Sequence, residues 1–160
     1  MLQKKERGHL VLSAVEHASS LDAARQLEKQ GHTVMLVKPT SQGEISVNAI
    51  EDAISDSTTL VSVMVGNNEL GTINDVEVIA ALCKNRNVIF HTDAAQAIGH
   101  LQIDASRFDM MTLTGHKLYA PKGVGVLVVR EGLTLYPMIQ GGQAERGLRG
   151  GTLNVASIVG

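Results

Sequence analysis

Short β-branched runs that alternate with amphipathic stretches constrain this chain more than any other feature, because such alternation builds helices laid over a largely parallel sheet. The runs are His9 to Ser13, Thr33 to Val37, Leu60 to Val65, Val88 to Thr92, Met110 to Leu113 and Val124 to Arg130. Each reads as a strand. Between the first two, Ser19 and Ser20 are expected to cap a helix to about Gln30, with Leu21, Ala24 and Leu27 on one face and Gly31 as its left-handed stop. Val47 to Ile54 reads as a second helix with Val47, Ile50 and Ile54 inward. Asn74 and Glu77 have capping-box spacing and predict a third helix to about Asn85. Asp93 to Gly99 is expected to be a turn or short helix, and Val155 to Val159 reads as helical. The Pro121-Lys122-Gly123 connection is too short for a parallel crossover, so the last strand is expected to run antiparallel to its predecessor. The fold class is therefore α/β, mainly parallel with one antiparallel strand.

Composition narrows the functional classes. With 160 residues and 44% hydrophobic content the chain has material for one ordinary core, and no linker or repeat divides it. Fourteen Lys and Arg against sixteen Asp and Glu give a net charge of -2, and the only dense basic block is Lys4-Lys5-Glu6-Arg7. Nucleic acid is not an expected partner, since counterion release needs a clustered basic face and 2% aromatic content leaves little for base stacking. The apolar run after Arg7 is short and ends in the polar stretch Ser13 to His17; no segment approaches membrane-spanning length. A soluble cytoplasmic protein without a membrane partner is the expectation. The one cysteine, Cys83, has no intramolecular partner, in keeping with a reducing compartment.

The chemistry-bearing residues come directly after strands. Parallel strands of an α/β sheet deliver such residues to one edge, at the carboxyl ends. Lys117 comes after the Met110 run within Thr114-Gly115-His116-Lys117, and Asp93 with Gln96 comes after the Val88 run. A lysine there, with an aspartate, a glutamine and a histidine nearby, suits pyridoxal phosphate held as a Schiff base. Asp93 against the pyridine nitrogen would keep it protonated, and Gln96 could bond the ring oxygen. Asp93 alone could also be a helix N-cap for Ala94 to Ala97. Thr114, Gly115 and His116 offer a hydroxyl, a close backbone approach and an imidazole to a phosphate, or form an ordinary polar turn. Asn67 and Asn68 serve turn geometry, and one of their amides directed inward could meet cofactor or substrate. His17, after the first strand, could stack on a ring and move protons, or be structural.

Three other motifs fail. His91 and Asp93 are metal-ligand types, but they are expected to point to opposite faces of their strand, which argues against a metal site. Gly123-Val124-Gly125 lacks the third glycine of a dinucleotide fingerprint and leads into a strand, and no Gly-Lys-Ser/Thr opens a helix as in a P-loop.

Five segments occur in an order that is similar to one family: Ser13-Ala14-Val15-Glu16-His17, Asn67-Asn68-Glu69-Leu70-Gly71-Thr72, His91-Thr92-Asp93-Ala94-Ala95-Gln96, Gly115-His116-Lys117-Leu118-Tyr119-Ala120-Pro121-Lys122-Gly123, and Glu145-Arg146-Gly147-Leu148-Arg149-Gly150-Gly151-Thr152. They resemble the cysteine desulfurases of the NifS and IscS type, within the class V aminotransferase-like enzymes, with selenocysteine lyases as close relatives. The resemblance implies a three-layer α/β/α large domain of a pyridoxal-phosphate-dependent transferase, of which residues 1–160 would be the central part. The family's N-terminal segment and small C-terminal domain would lie outside the chain.

The resemblance also implies roles. Lys117 would be the Schiff-base lysine, Asp93 the pyridine-nitrogen partner, Gln96 the ligand of the ring oxygen and His17 the stacking residue. Asn68 would lie beside cofactor and substrate, and Thr114 with His116 would hold the phosphate. Thr152 would reach the phosphate of a neighbouring subunit, which implies a homodimer. The family converts L-cysteine to L-alanine and passes the sulfur as a persulfide to an acceptor or scaffold protein for iron–sulfur cluster or thio-cofactor assembly. Selenocysteine is the alternative substrate, and a non-catalytic binding or dimerisation module is the alternative from another class. Two departures stand out. Cys83 does not match the family's sulfur-accepting cysteine, which lies later than Thr152, so the 160-residue chain is expected not to desulfurate alone. Gln143 and Ala144 stand where the family has a third glycine followed by Gln or His.

Overall fold

The computed structural model describes residues 7–160; the basic start Lys4-Lys5-Glu6 lies outside them. Six strands form one sheet: β1 (His9–Ser13), β2 (Thr33–Val37), β3 (Thr58–Ser62), β4 (Ile89–Asp93), β5 (Met110–Thr114) and β6 (Gly125–Val129). Their order is β2-β1-β3-β4-β5-β6. Every neighbouring pair is parallel except β5 and β6. The antiparallel last strand results from its short connection, as the sequence predicts.

Alternation along the strands divides the helices between two faces. Val11, Val61 and Phe90 point to one face, where Ile50 of α2 (Val47–Ala53) and Ile79 of α3 (Val76–Asn85) complete the main core. Leu10, Leu12 and Leu60 point to the other, where Ala24 and Leu27 of α1 (Ala18–Lys29) pack on them. The result is three layers, α/β/α. Phe90 and Phe108, ring centroids 6.0 Å apart, anchor the larger side, each contributing about 1.5–3 kcal/mol by burial.

Local differences from the sequence-based expectation have identifiable causes. The α1 cap is His17, whose Nδ1 accepts from the Ser19 backbone N–H at 3.2 Å; Ser19 and Ser20 lie inside the helix. The expected stop at Gly31 holds, with φ at +94°. Helix α3 is capped by Asp75, which accepts from Val78 N–H, and not by Asn74. Asn74 is buried: it accepts from Ile45 N–H and donates to the Met64 carbonyl, both at 2.8 Å, so its amide joins two loops instead. Strand β3 begins at Thr58, before the expected Leu60, because Thr58 pairs with His9 across the β1–β3 ladder. The short α4 (Val155–Val159) forms as expected, and no described helix is long and apolar enough to cross a membrane.

Candidate active site

The sheet order places the candidate residues together. Strands β1, β3, β4 and β5 are consecutive neighbours and parallel, so the segments after them open at one edge. These segments carry His17, Asn67 with Asn68, Gln96 and Lys117, with Asp93 as the last residue of β4. The chain leaves β1 towards β2 on one side and returns to β3 on the other, so the β1/β3 junction is a topological switch point, where ligands bind in such sheets. Most buried polar residues gather at this edge: Ser13, Glu16, Ser62, Asn67, Asn74, Thr92 and Asp93. Buried polar groups need partners, and their clustering distinguishes this edge from the rest of the core.

Asp93 is 8% exposed. Its Oδ1 accepts from Ala95 N–H at 2.8 Å, a local turn, while Oδ2 makes no hydrogen bond among the described residues. Residues 94–97 form a turn, so the helix N-cap role gives way to turn closure with one oxygen left for a ligand. His91 and Asp93 share a face, contrary to the expectation, because residues two apart on a strand point the same way. His91 bonds Ser62 Oγ through Nδ1 and Thr112 Oγ1 through Nε2, each at 2.8 Å, so both ring nitrogens are engaged. Burial holds its imidazole below the usual range, with the Asp93 charge acting in the opposite sense. Among the described residues no three His, Cys, Asp or Glu side chains are grouped to hold a metal.

Asn67 takes the turn role. Asn67 is buried: its Oδ1 accepts from Glu69 and Leu70 N–H at 2.8 Å, and its Nδ2 donates to the Val15 carbonyl at 2.7 Å, tying the β3 loop to the turn that carries His17. Asn68 is exposed beside it. His17 is exposed, its Nδ1 occupied by the α1 cap and Ser19 Oγ, and its Nε2 makes no hydrogen bond among the described residues.

Lys117 ends a single 3-10 turn, Gly115–Lys117, immediately after β5. Thr114 Oγ1 and His116 Nδ1 lie 3.0 Å apart, so the two polar groups converge. Gly115 allows a close approach there: a Cβ would come within 3.2 Å of Ala120 Cβ and 3.3 Å of the Val124 carbonyl oxygen, so a larger residue would push these neighbours aside. Lys117 and His116 are exposed, Gln96 is half-buried, and Tyr119 sits at φ +63° with its side chain fully in solvent. Thr152 is exposed on the tail, and no hydrogen bond among the described residues joins it to this group. The tail folds back through Gly150 N–H to the Ile139 carbonyl at 2.8 Å and Gly151 N–H to the Gly141 carbonyl at 3.0 Å. Gln143 has φ -103°, a conformation open to any side chain, so its departure from glycine is accommodated without strain.

Two features lie away from this edge. Cys83 is fully buried in α3, as expected of a small apolar residue, and burial pushes its thiol up to about 12. A cleft of about 440 Å³ lined by Arg7, Ser55, Ser57, Arg86 and Asn87 opens at the opposite edge, where the strands begin, and shares no residue with the candidate site. Glu16 lies within a recognised sequence motif, yet the motif assigns it no role. It is a buried carboxyl beside His17, and the signal available was an acid in an otherwise apolar and small-residue turn three positions after Ser13.

The comparisons agree with this geometry. The aminotransferase class-V family model matches residues 1–160. A protein named cysteine desulfurase IscS from Clostridium botulinum is 45% identical over 159 residues, covering 98% of this chain and 40% of that protein. A cysteine desulfurase from a Nostoc species is 42% identical over 162 residues, covering 100% of this chain and 40% of that protein. The chain thus spans 40% of the length of these curated relatives. Among solved structures, SspA in complex with cysteine superposes with a TM-score of 0.93 at 42% identity, covering 96% of this chain and 45% of that one. DndA from Streptomyces lividans gives 0.90 at 39% identity, covering 95% and 45%. The α/β/α sheet, the ordered edge residues and the full-length family match together place this chain in the aminotransferase class-V family.

Proposed function

We propose that the protein carrying this chain is a pyridoxal-phosphate-dependent cysteine desulfurase, and that the edge formed by His17, Asn68, Asp93, Gln96, Thr114, His116 and Lys117 holds the cofactor. One observation carries the reading: Asp93 is buried with Oδ1 satisfied by its own turn and Oδ2 unbonded, on the strand next to the one that leads into Lys117. The donor set fits the group, with a carboxylate for a pyridine nitrogen, an amine for an aldehyde, and a hydroxyl and an imidazole 3.0 Å apart for a phosphate. When bound, pyridoxal phosphate supplies the electron sink for negative charge at the substrate α-carbon.

The chain's own residues orient and protonate. Asp93 Oδ2 would keep a proton on the pyridine nitrogen through a charge-assisted bond. Gln96 would donate to the ring oxygen, and Asn68 would lie beside cofactor and substrate. Thr114 and His116 would hold the phosphate, and Lys117 would supply the covalent anchor and the base. His17 would lie against the ring, with its unbonded Nε2 available to exchange a proton. L-cysteine and an acceptor thiol become L-alanine and a persulfide: the substrate C–S bond breaks and an S–S bond to the acceptor forms. Cys83 is not that acceptor, because it is buried and its thiol resists ionisation. The persulfide serves iron–sulfur cluster or thio-cofactor assembly through a sulfur-accepting partner in the cytoplasm. A homodimer suits the exposed Thr152 and the exposed apolar side chains of the same tail, among them Met138 at 81% and Val159 at 80% exposure.

The test uses the full-length protein. Incubation with pyridoxal phosphate and borohydride should label Lys117, and L-cysteine should yield alanine and persulfide in the native protein but not in Lys117→Ala. Failure to label Lys117 overturns the cofactor reading. Selenide release from selenocysteine with L-cysteine refused would reassign the substrate.

A further inference from the structure

Glu16 is a buried acid that the proposed chemistry leaves unused. It lies in the turn between β1 and α1, next to His17, and is 5% exposed. Its Oε1 accepts two short hydrogen bonds, from the Ser13 hydroxyl and from the Met64 backbone N–H, each at 2.6 Å. Its Oε2 is buried without a partner among the described residues. Ser13 closes β1 and Met64 lies just past β3, so one carboxyl bridges the junction where the sheet order reverses. Asn67 braces the same turn through its bond to Val15 and a contact with Met64 Sδ at 3.5 Å.

The geometry favours one charge state. An ionised carboxylate with one oxygen beyond any donor carries a large desolvation cost, whereas a carboxylic acid places its proton on Oε2 and leaves both bonds to Oε1 intact. Burial pushes the Glu16 carboxyl up to about 7 against the opposing Ser13 and Met64 hydrogen bonds, and the Asp93 charge adds to the rise. The charged group acting on Glu16 is Asp93 of β4; His17 follows Glu16 in the chain, His91 lies two residues before Asp93, and Ser13 and Met64 are the polar contacts. Glu16 and Asp93 are the buried acids among the described residues.

We propose that Glu16 is a positioning residue: as a neutral acid it bolts the His17 turn to the end of β3 and leaves Asp93 as the buried negative charge of the site. The role towards His17 and Asp93 rests on the cofactor reading above. Ionising Glu16 strengthens the Ser13 and Met64 bonds to Oε1 but sets a second carboxylate against Asp93 and leaves the buried Oε2 charged without a donor. Glutamine preserves the shape and the Oε1 acceptor without the titrating proton; alanine removes the bridge and leaves the Met64 N–H and Ser13 hydroxyl unpaired.

The experiment compares full-length native protein, Glu16→Gln and Glu16→Ala. In the cofactor-free protein, denaturant midpoints are tracked between about pH 4.5 and pH 8. The folded state retains a proton that the unfolded chain releases near 4.5, so this group's stabilisation falls as pH rises through about 7 and then levels. Glu16→Gln should lack that slope, and subtraction of the two profiles removes the His91 contribution they share. Parallel profiles for the native protein and Glu16→Gln overturn the neutral acid. With pyridoxal phosphate, Glu16→Ala should bind about tenfold more weakly or worse, and Glu16→Gln should recover most of the loss. Equal cofactor affinity for Glu16→Ala and the native protein overturns the positioning role. Should Glu16→Ala not fold, Ser13→Ala, which removes one of the two bonds to Oε1, takes its place, and unchanged cofactor affinity there has the same meaning. A native protein that binds no pyridoxal phosphate refutes the cofactor reading and the positioning role with it, while the cofactor-free profiles still decide the proton on Glu16.

Discussion

The two ends of the candidate site are built differently. The chain from β1 to β5 carries every buried apolar side chain among the described residues, from Leu10 to Met111, and Asp93 and Glu16 are locked within that packing. From Gly115 onward only Gly150 is buried, and Lys117, His116, Tyr119, Met138 and Val159 stand exposed. The acid end is therefore preorganised by a core, while the lysine end is shaped by one 3-10 turn, a close glycine contact and a left-handed Tyr119. Local opening is cheapest where buried apolar contacts are few, so the lysine segment has the lower local stability. An acid that must keep a fixed position gains from a packed surround, and a lysine that must reach a ligand gains from access.

Substitutions at the chemistry should separate the ends most strongly. Lys117→Ala should abolish covalent retention of pyridoxal phosphate without moving the thermal midpoint, whereas Asp93→Asn should cost on the order of 10²–10³-fold in turnover, read by alanine formation. A coupled loss of thermal stability in Lys117→Ala would erase the contrast. Next come core truncations: Phe90→Ala, at 1% exposure, should cost about 3–5 kcal/mol in denaturant unfolding, against less than about 1 kcal/mol for the exposed Leu127→Ala on β6.

The pH dependence also belongs to the acid end. Glu16, raised from 4.5 to about 7, should remove up to about 3 kcal/mol of stability as pH climbs through that window. His91, lowered by burial, acts with the opposite sign: its contribution is full above about 6.5 and is lost as pH falls below it. A smaller effect tests the lysine end, where Tyr119→Gly should stabilise by about 1 kcal/mol by relieving positive φ. The smallest is Glu51→Gln, which breaks an exposed 2.7 Å pair with Arg86 and should cost about 0.5 kcal/mol at most.

Much of the fold was legible because its signals are local. Strands β1 and β2 match the predicted runs at both ends, since apolar and β-branched composition acts within a few residues. The candidate residues other than Thr152 could be grouped from the sequence because each sits at or just past a strand's carboxyl end, and parallel strands bring those ends to one edge. The His91 expectation failed on an elementary point: the pleat repeats every two residues, so His91 and Asp93 face the same way. Asn74 and Glu16 were not legible for a different reason. Their partners, Ile45 and Met64, lie far away along the chain, and nothing in a local pattern selects them.

Sequence alone determined the elements, the antiparallel last strand and the order of the edge residues, because periodicity, turn chemistry and connection length are short-range properties. Only the tertiary structure decided which buried polar atoms meet. The order β2-β1-β3 brings the Met64 N–H to Glu16 and turns a carboxyl that would ionise in water into one buried at the switch point. Desolvation depends on everything packed around a group, and that sum exists only once the chain has folded.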